Sequence, residues 1–446
     1  MSSGNAVISE ESIPVYSVQS LKLPPALLDF REKAFDEIIE NIDLGAARKL
    51  ARSELQAEVE RYLNQLTAKS LVQISYREQQ HIANEIVNDM IGLGPLEALI
   101  HDETITDIMV NSPTSVFVER KGKLVPTDLT FRSDKHVLQI AQRIASQVGR
   151  RVDESSPMVD ARLKDGSRVN VIIPPLALEG VTISIRKFSE VSISLDKMAT
   201  QGNISEQMLK FLKIASRCRL NIIVAGGTGA GKTTLLNALS SLIDPQERIV
   251  TIEDSAELRL QQPHVVRLES RPANIEGEGE VSIRDLLKNS LRMRPDRIVV
   301  GECRGAEAFD MLQAMNTGHD GSMSTLHANT AEDALSRMEN MVLMAGHKLP
   351  NDVVRSYIAD AVDLVVHISR MRDGIRRVGQ ITEVREVGAN GHIDARDVFT
   401  FHYEGMGDGD RINGQFKASD HEPFFMEKIR YYNLENEMRE ALGNQK

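Results

Sequence analysis

The sequence has no tryptophan and only 4% aromatic residues, so its hydrophobic cores must be built mainly from Ile, Leu, Val, Met and Ala. Its two cysteines, Cys218 and Cys303, form no Cys-x-x-Cys pair. This excludes a disulfide scaffold and a four-cysteine zinc site, and it favours a reducing, cytoplasmic setting. The longest apolar runs, such as residues 220–227, are far short of the roughly 20 residues of a spanning helix.

The N-terminus also lacks the basic start and the apolar segment of a signal peptide. We therefore expect a cytoplasmic protein without a direct membrane span, which is peripheral to a membrane only through partners. Acidic residues outnumber basic ones: the formal net charge is -11 and the sequence pI is about 5.6. Such a field repels nucleic acid and anionic lipid, so we expect no nucleic-acid partner.

The length of 446 residues exceeds what one hydrophobic core usually organises, so two or three domains are expected. Residues 1–25 show no sustained period and are predicted to be a flexible tail. Apolar residues at three- and four-residue spacing predict a helical bundle over residues 26–90. Short alternating runs with one helical stretch predict a small α+β domain over residues 91–188, followed by a linker and hinge at 189–202.

Residues 203–446 alternate apolar strands with helices, which predicts an α/β fold with a mostly parallel sheet. Within it, the stretch GGTGAGKTT at residues 226–234 fits G-x-x-x-x-G-K-[ST] between a strand and a helix, the context of a P-loop. In such a loop backbone N–H groups bind phosphates, Lys232 reaches the β- and γ-phosphates and Thr233 offers its hydroxyl to Mg²⁺. The alternative is a glycine-rich turn that binds nothing. We predict that ATP and Mg²⁺ bind here, at Gly227, Thr228, Gly229, Ala230, Gly231, Lys232, Thr233 and Thr234.

Acidic residues end two further predicted strands. Glu302 ends RIVVGE, where it could orient and deprotonate the attacking water. A second acid must come from elsewhere, and the nearest candidates are Glu253 and Asp254, with Glu257 one turn later. Parallel strands would deliver these acids to the sheet edge that carries the P-loop. The alternative for Asp254 and Glu257 is that they cap the next helix.

The stretch NTGHDGSMSTLHAN at residues 316–329 contains two histidines among small polar residues. SMSTLH is predicted to be a strand whose end places His327 at the same edge as Glu302, where it could donate to a phosphate oxygen. A zinc site with His319 lacks a third soft ligand at suitable spacing. A structural polar turn is the other interpretation, and His319 is expected to shape that turn.

Four stretches, GGTGAGKTT, TIEDSAEL, RMRPDRIVVGECRG and NTGHDGSMSTLHAN, occur in this order. They resemble the Walker A, Asp box, Walker B and His box of the type II/type IV secretion ATPase superfamily. Residues 271–329 and 92–111 resemble, more narrowly, the Flp/Tad (tight adherence) pilus assembly ATPases of the CpaF/TadA type. The resemblance implies a RecA-like P-loop motor domain preceded by the smaller α+β domain and the helical bundle.

The function implied by the resemblance is that of a homohexameric cytoplasmic motor. It would hydrolyse ATP and drive pilin assembly through inner-membrane platform proteins. Carried over to this sequence, Glu253 helps to hold Mg²⁺ or water, Glu302 is the catalytic glutamate and His327 contacts the γ-phosphate. The family also closes its site with arginines from the preceding domain, which implies catalytic roles for Arg168 and Arg186.

An arginine at a P-loop can be worth roughly 10³ to 10⁵ in rate. The alternative for Arg168 and Arg186 is that they are exposed strand residues paired with surface acids. Other members of the superfamily carry a four-cysteine zinc module that this chain cannot form, and the conjugation-type relatives usually lack so long a helical N-terminal region. The N-terminal helices could dock a localisation or regulatory factor, or they could pack against the ring.

Three other functions are weighed against a pilus assembly motor. One is an ATP-binding scaffold with negligible turnover, which Glu302 and the two arginines disfavour. Another is a related type IV secretion ATPase that exports another substrate. A DNA translocase is disfavoured by the pI and by the lack of a basic stripe with aromatic residues. Extension and retraction of a pilus use the same hydrolysis chemistry, so both directions of work stay open.

Overall fold

The structure is a computed structural model of two compact units, residues 1–189 and 190–446. It describes residues 15–17, 23–42, 47, 50–70, 72–120, 122–163, 165–188, 193–271, 273, 278–346, 348–407 and 411–443. In that part of the chain no helix combines the length and the apolar character needed to cross a membrane.

The first unit begins with a group of three helices. They are α1 (Pro25–Asn41), α2 (Arg52–Lys69) and α3 (Tyr76–Ile91). Apolar residues recur every three or four positions on α2 and α3, so each helix has one buried face. The shared core includes Leu55, Val59 and Leu63 of α2 and Ile82 and Ile86 of α3.

The second part of the first unit is a six-stranded antiparallel sheet with the order β3-β2-β1-β6-β5-β4. Its strands are β1 (Ile105–Ser112), β2 (Ser115–Arg120), β3 (Lys123–Pro126), β4 (Met158–Arg162), β5 (Arg168–Ile172) and β6 (Thr182–Arg186). The chain enters it through a short 3₁₀ turn (Gly94–Leu96) and α4 (Glu97–Ile100), and α5 (Asp134–Gln147) packs its apolar face into the same core. The alternating runs that indicated strands in the sequence, at residues 105–111, 115–128, 167–175 and 180–188, overlap with all of these strands except β4.

Part of the predicted flexible tail is attached to this sheet. Tyr16 forms a parallel bridge with Thr127, and its backbone N–H donates to the carbonyl of Pro126 at 2.7 Å. A backbone pair of this kind holds residues 15–17 beside β3, which corrects the prediction for these residues. Residues 1–14 and 18–22 of the predicted tail lie outside the described residues.

The second unit is built on a nine-stranded sheet with the order β15-β14-β13-β12-β7-β11-β10-β8-β9. The strands from β12 to β9 in this order run parallel, whereas β13, β14 and β15 continue the sheet in antiparallel fashion. The bounds are β7 (Ile222–Gly226), β8 (Ile249–Glu253), β9 (Val265–Glu269), β10 (Arg297–Cys303), β11 (Met323–His327), β12 (Leu364–Arg370), β13 (Arg376–Val387), β14 (Ile393–Met406) and β15 (Ile412–Ala418).

Helices cover both faces of this sheet, so its central strands are buried on both sides. In β7, Ile222 and Val224 belong to one hydrophobic core while Ile223 and Ala225 belong to the other. This explains why β7 reads as a continuous apolar run in the sequence. The helices are α6 (Leu195–Thr200), α7 (Glu206–Arg217), α8 (Lys232–Ser240), α9 (Ile283–Ser290), α10 (Glu307–Asn316), α11 (Ala331–Met344), α12 (Asn351–Ala361), α13 (Met426–Tyr431) and α14 (Glu435–Ala441).

The predicted fold class is confirmed, because a parallel P-loop sheet with helices on both faces follows an α+β sheet and a group of helices. The predicted linker at 189–202 needs a correction. Its residues 189–192 lie outside the described residues, but residues 195–200 form α6. Leu195 and Met198 of α6 are buried in the core of the second unit, so this helix is part of that unit.

Candidate nucleotide-binding site

The P-loop connects β7 to α8 at the carboxyl edge of the parallel strands. Gly229 and Gly231 have φ values of 69° and 99°, which side chains rarely adopt, so glycine lets the chain turn here. Gly226 is required for a different reason, since a Cβ there would lie 2.3 Å from the carbonyl oxygen of Ile368. A Cβ at Gly227 would meet nothing within 4 Å. The space above the loop is therefore open, and this geometry fits phosphate groups.

Lys232 is the first residue of α8, and its ammonium group is held at the loop. Its Nζ donates to the carbonyl of Gly227 at 3.2 Å, and burial lowers its pKa. Arg376 contacts the same loop from β13, where its Nε donates to the carbonyl of Gly229 at 2.9 Å. Two cationic side chains thus lie at the segment whose backbone is expected to bind phosphates.

Glu302 in β10 is paired with a neighbouring arginine. Nη2 and Nε of Arg304 donate to Oε2 of Glu302 at 2.7 and 2.9 Å. Nη1 of Arg304 also donates to Oδ2 of Asp254 at 3.2 Å. One guanidinium therefore joins Glu302 of β10 to Asp254, the residue after β8, an arrangement that the sequence interpretation missed. Arg304 follows Glu302 by two positions, so the only signal in the sequence was its closeness along the chain.

Glu253 ends β8 and is almost fully buried, with 3% of its surface exposed. Its Oε1 accepts the backbone N–H groups of Glu257 and Leu258 at 2.8 and 2.9 Å. Burial raises the pKa of Glu253 to about 7, although these hydrogen bonds act in the opposite direction. Gly301 makes room for it, because a Cβ at that position would lie 2.9 Å from Cγ of Glu253.

The acid that accepts backbone N–H groups after β8 is not one of those suggested by the sequence. Capping of backbone groups was the alternative offered for Asp254 and Glu257, but it is Glu253 that accepts the N–H groups of the following turn. Asp254 is exposed and pairs with Arg304 at 3.2 Å. Glu253 is still at the end of the strand beside β10, so it is near the acid Glu302 in the sheet. Its carboxylate, however, is engaged by the protein backbone.

The two histidines of residues 316–329 lie at opposite ends of β11. His327 ends the strand opposite Gly226 of β7, and its Nε2 lies 3.5 Å from Oγ1 of Thr228 in the P-loop. Burial, followed by the charges of Lys232 and Arg337, lowers the pKa of His327. His319 precedes the strand, with Nδ1 at 3.2 Å from the carbonyl oxygen of Ala314.

The strand therefore separates the two imidazoles. Across the described ranges, no group of three or more His, Cys, Asp or Glu side chains could hold a metal ion. The predicted position of His327 at the edge that carries Glu302 and the P-loop agrees with the structure. His319 lies in the turn before β11, where the sequence interpretation also put it.

Arg168 and Arg186 lie in the first unit, opposite each other on the paired strands β5 and β6. Nε of Arg186 lies 3.2 Å from Oδ1 of Asp107, and more than half of the arginine side chain is exposed. For Arg186 this is the surface pairing that the sequence interpretation gave as the alternative, whereas Arg168 is only partly exposed. Their approach to a phosphate stays a prediction.

Comparison with known proteins matches residues 89–396 to the family model described as type II/IV secretion system protein. A putative conjugal transfer protein of Mycobacterium tuberculosis (strain CDC 1551 / Oshkosh) is 40% identical over 317 residues, or 70% of this chain and 89% of that protein. The type IV secretion system protein VirB11 of Bartonella quintana (strain Toulouse) is 32% identical over 330 residues, or 65% of this chain and 92% of that protein. The crystal structure of the VirB11 ATPase from Brucella suis, in complex with sulphate, is 31% identical and has a TM-score of 0.36, covering 64% of this chain and 94% of that one.

Proposed function

Because the chain belongs to the type II/IV secretion system protein family, we propose that this P-loop ATPase is the homohexameric motor that assembles a Flp/Tad-type pilus. It would act at the inner membrane through platform proteins, and its hydrolysis of ATP would supply the work. The proposed hydrolysis of ATP is supported mainly by one observation. The P-loop, Glu302 and His327 all lie at the same edge of the parallel sheet.

The helical N-terminal region supports the Flp/Tad subtype. The helices α1 and α2 and most of α3 lie before residue 89, where the family match begins. The VirB11 relative is matched over 92% of its own length by 65% of this chain, so this chain carries length beyond the shared region. A conjugation-type ATPase is expected to lack such a helical region, and the two cysteines cannot form the zinc module of other pilus extension ATPases.

A type IV secretion ATPase that exports another substrate is the second candidate. It is favoured by the names of the relatives, which are a conjugal transfer protein and a type IV secretion system protein. These names describe those proteins and leave the cargo of this chain open. In either machine, the N-terminal helices would dock a localisation or regulatory factor or would pack against the ring.

Each residue of the site has a proposed role that its position supports. Backbone N–H groups of the P-loop and Lys232 would bind the phosphates of ATP, and the Thr233 hydroxyl would help to hold Mg²⁺, whose charge would offset that of the phosphates. Glu302 accepts a proton from the attacking water. In this structure Arg304 donates to Oε2 of Glu302 at 2.7 and 2.9 Å, so Oε1 is the oxygen that would accept that proton.

Glu253 and His327 also have proposed roles at this edge of the parallel sheet. Glu253 would help to hold Mg²⁺ or water, which requires its buried carboxyl to be ionised, and His327 would donate to a γ-phosphate oxygen. We propose that Arg168 and Arg186 close the site from the α+β domain when ATP is bound. Release of that closure after hydrolysis would provide the domain motion of the motor.

Replacing Glu302 tests the catalytic assignment. Glu302→Gln in the full chain should lower steady-state ATP hydrolysis by about 10² or more, the usual contribution of a general base, while fluorescent ADP still binds. Lys232→Ala should abolish binding itself. Asp254→Asn is the matched control, because it also removes an acid that Arg304 contacts, and it should retain most of the turnover.

Unchanged turnover in Glu302→Gln would overturn the assignment. No turnover in the wild-type protein at saturating Mg-ATP, under conditions that promote rings, would favour the scaffold. The cargo is tested in cells that carry Glu302→Gln as the only copy. Loss of surface pili supports the pilus motor, whereas normal pili with a lost secreted substrate favours the second candidate.

A further inference from the structure

Arg376 is an arginine of the P-loop site to which the sequence interpretation gave no role. It is the first residue of β13, directly after the hairpin that leaves β12. Its Nε donates to the carbonyl of Gly229 at 2.9 Å. A Cβ at Gly231 would lie 3.0 Å from Cδ of Arg376, so the arginine side chain lies directly against the loop.

The main chain that carries Arg376 is fixed on two sides. Asp373 forms a two-bond ion pair with Arg377, at 3.0 and 2.8 Å, and it accepts the N–H of Ile412 in β15 at 3.1 Å. Both side chains of the pair are buried, and Arg377 is the main reason that the pKa of Asp373 falls to about 2. The hairpin is thereby tied to the last strand of the sheet.

Asn203 holds the other side of the same segment. Its side-chain amide donates to the carbonyl of Arg376, and its own carbonyl accepts the N–H of Val378 at 2.9 Å. Asn203 lies just before α7, far from β13 in sequence. Arg376 therefore extends from a backbone that two separate parts of the unit hold in place.

A P-loop binds phosphate because its N–H groups turn inward, and a carbonyl oxygen turned the same way would repel the anion. Any group that holds a loop carbonyl aside stabilises the binding conformation, and a guanidinium does so with a charge-assisted hydrogen bond. We propose that Arg376 is a positioning residue for the P-loop, which keeps the Gly229 carbonyl turned away from bound nucleotide phosphates. The inference depends on the proposed binding of ATP by this loop.

The test compares Arg376→Ala and Arg376→Gln with Arg372→Ala in the full chain. Arg372 is an exposed arginine of the same hairpin, so its removal takes away the same charge without the contact. We expect about tenfold weaker binding of fluorescent ADP and a tenfold higher KM for ATP in both Arg376 variants, the size of a lost charge-assisted hydrogen bond. The kcat should stay within about twofold, because Glu302 is untouched.

Two further variants separate positioning from general folding. Arg376→Lys keeps a donor of similar reach and should recover most of the ADP affinity. Asn203→Ala, which removes a support of Arg376 and touches no nucleotide, should weaken ADP binding by a few-fold. The thermal unfolding temperature without nucleotide should be the same for Arg376→Gln, Arg372→Ala and wild type.

Unchanged ADP affinity in the Arg376 variants would overturn the inference, as would equal losses in Arg372→Ala or a fall in kcat with KM unchanged. If Arg376→Ala does not fold, the ADP affinities of Arg376→Gln and Asn203→Ala are compared with those of Arg372→Ala and wild type instead. Absence of ATP turnover in the wild-type protein would refute the proposed function. The role of Arg376 can still be tested in that case, because ADP binding is measured without hydrolysis. Normal turnover with equal ADP affinities refutes the inference alone.

Discussion

The raised pKa of Glu253 predicts how ATP hydrolysis depends on pH. If this carboxyl must be ionised to hold Mg²⁺ or water, a pKa of about 7 leaves roughly one tenth of the molecules active at pH 6 and nine tenths at pH 8. Turnover should therefore fall about tenfold between pH 8 and pH 6. An ordinary glutamate, with a pKa of 4.5, would give almost no change over that range.

The assay is kcat/KM for Mg-ATP from pH 5 to pH 9, at constant ionic strength, in wild type, Glu253→Gln and Glu257→Gln. Glu253→Gln should have low activity at every pH and lose the decline centred near pH 7. Since the charge of Glu257 helps to raise the pKa of Glu253, Glu257→Gln should move that decline to lower pH. Burial holds the pKa of His327 below its ordinary value, so its titration would appear further into acid.

A stability measurement checks the same pKa independently. Because the folded-state pKa is raised, the protonated carboxyl is favoured in the folded protein, and wild type loses stability as pH rises from 4.5 to about 7. Glu253→Gln should thus gain about 2 to 3 kcal/mol relative to wild type between pH 5 and pH 8. A flat activity profile from pH 8 to pH 6, or the same profile in wild type and Glu253→Gln, would refute the reasoning.

Two other substitutions test the site and the core. His327→Ala should lower turnover by about 100- to 1,000-fold, the range of a lost transition-state hydrogen bond, while His319→Ala retains activity; loss of turnover in His319→Ala alone would reverse their roles. Glu247→Ala leaves Arg297, which is 1% exposed and bonded to Glu247 at 2.6 and 3.0 Å, without its partner charge. Thermal unfolding should report a loss of about 3 to 5 kcal/mol, and an unchanged unfolding temperature would contradict this account.

The P-loop could be found in the sequence because its chemistry is local. Phosphate binding by consecutive N–H groups needs glycines at fixed spacing, and Lys232 and Thr233 follow at once in the chain. The same is true of the strand β7 and the helix α8, whose apolar residues lie within short segments. His327 could be placed at the sheet edge because parallel strands that follow one another end on the same side.

Less local features were missed or misplaced. The strands β4, β14 and β15 were not predicted, although the burial of β15 alternates along its whole length. In the structure, pairing with neighbouring strands completes their hydrogen bonds. The segment of α6 reads as a linker because it contains polar residues, yet Leu195 and Met198 bury themselves in the core of the second unit. Burial of two side chains outweighs the local signal at this position.

The P-loop, the alternating α/β pattern and the acids and histidine at the strand ends can be read directly from the amino-acid order. The burial of Glu253 with a pKa of about 7, the pairing of Glu302 with Arg304 and the bond from Arg376 to the carbonyl of Gly229 are visible only in the folded chain. The reason is physical. A motif depends on spacing along the chain, whereas burial, charge pairing and hydrogen bonding depend on groups such as Arg376 and Gly229 that are 147 positions apart.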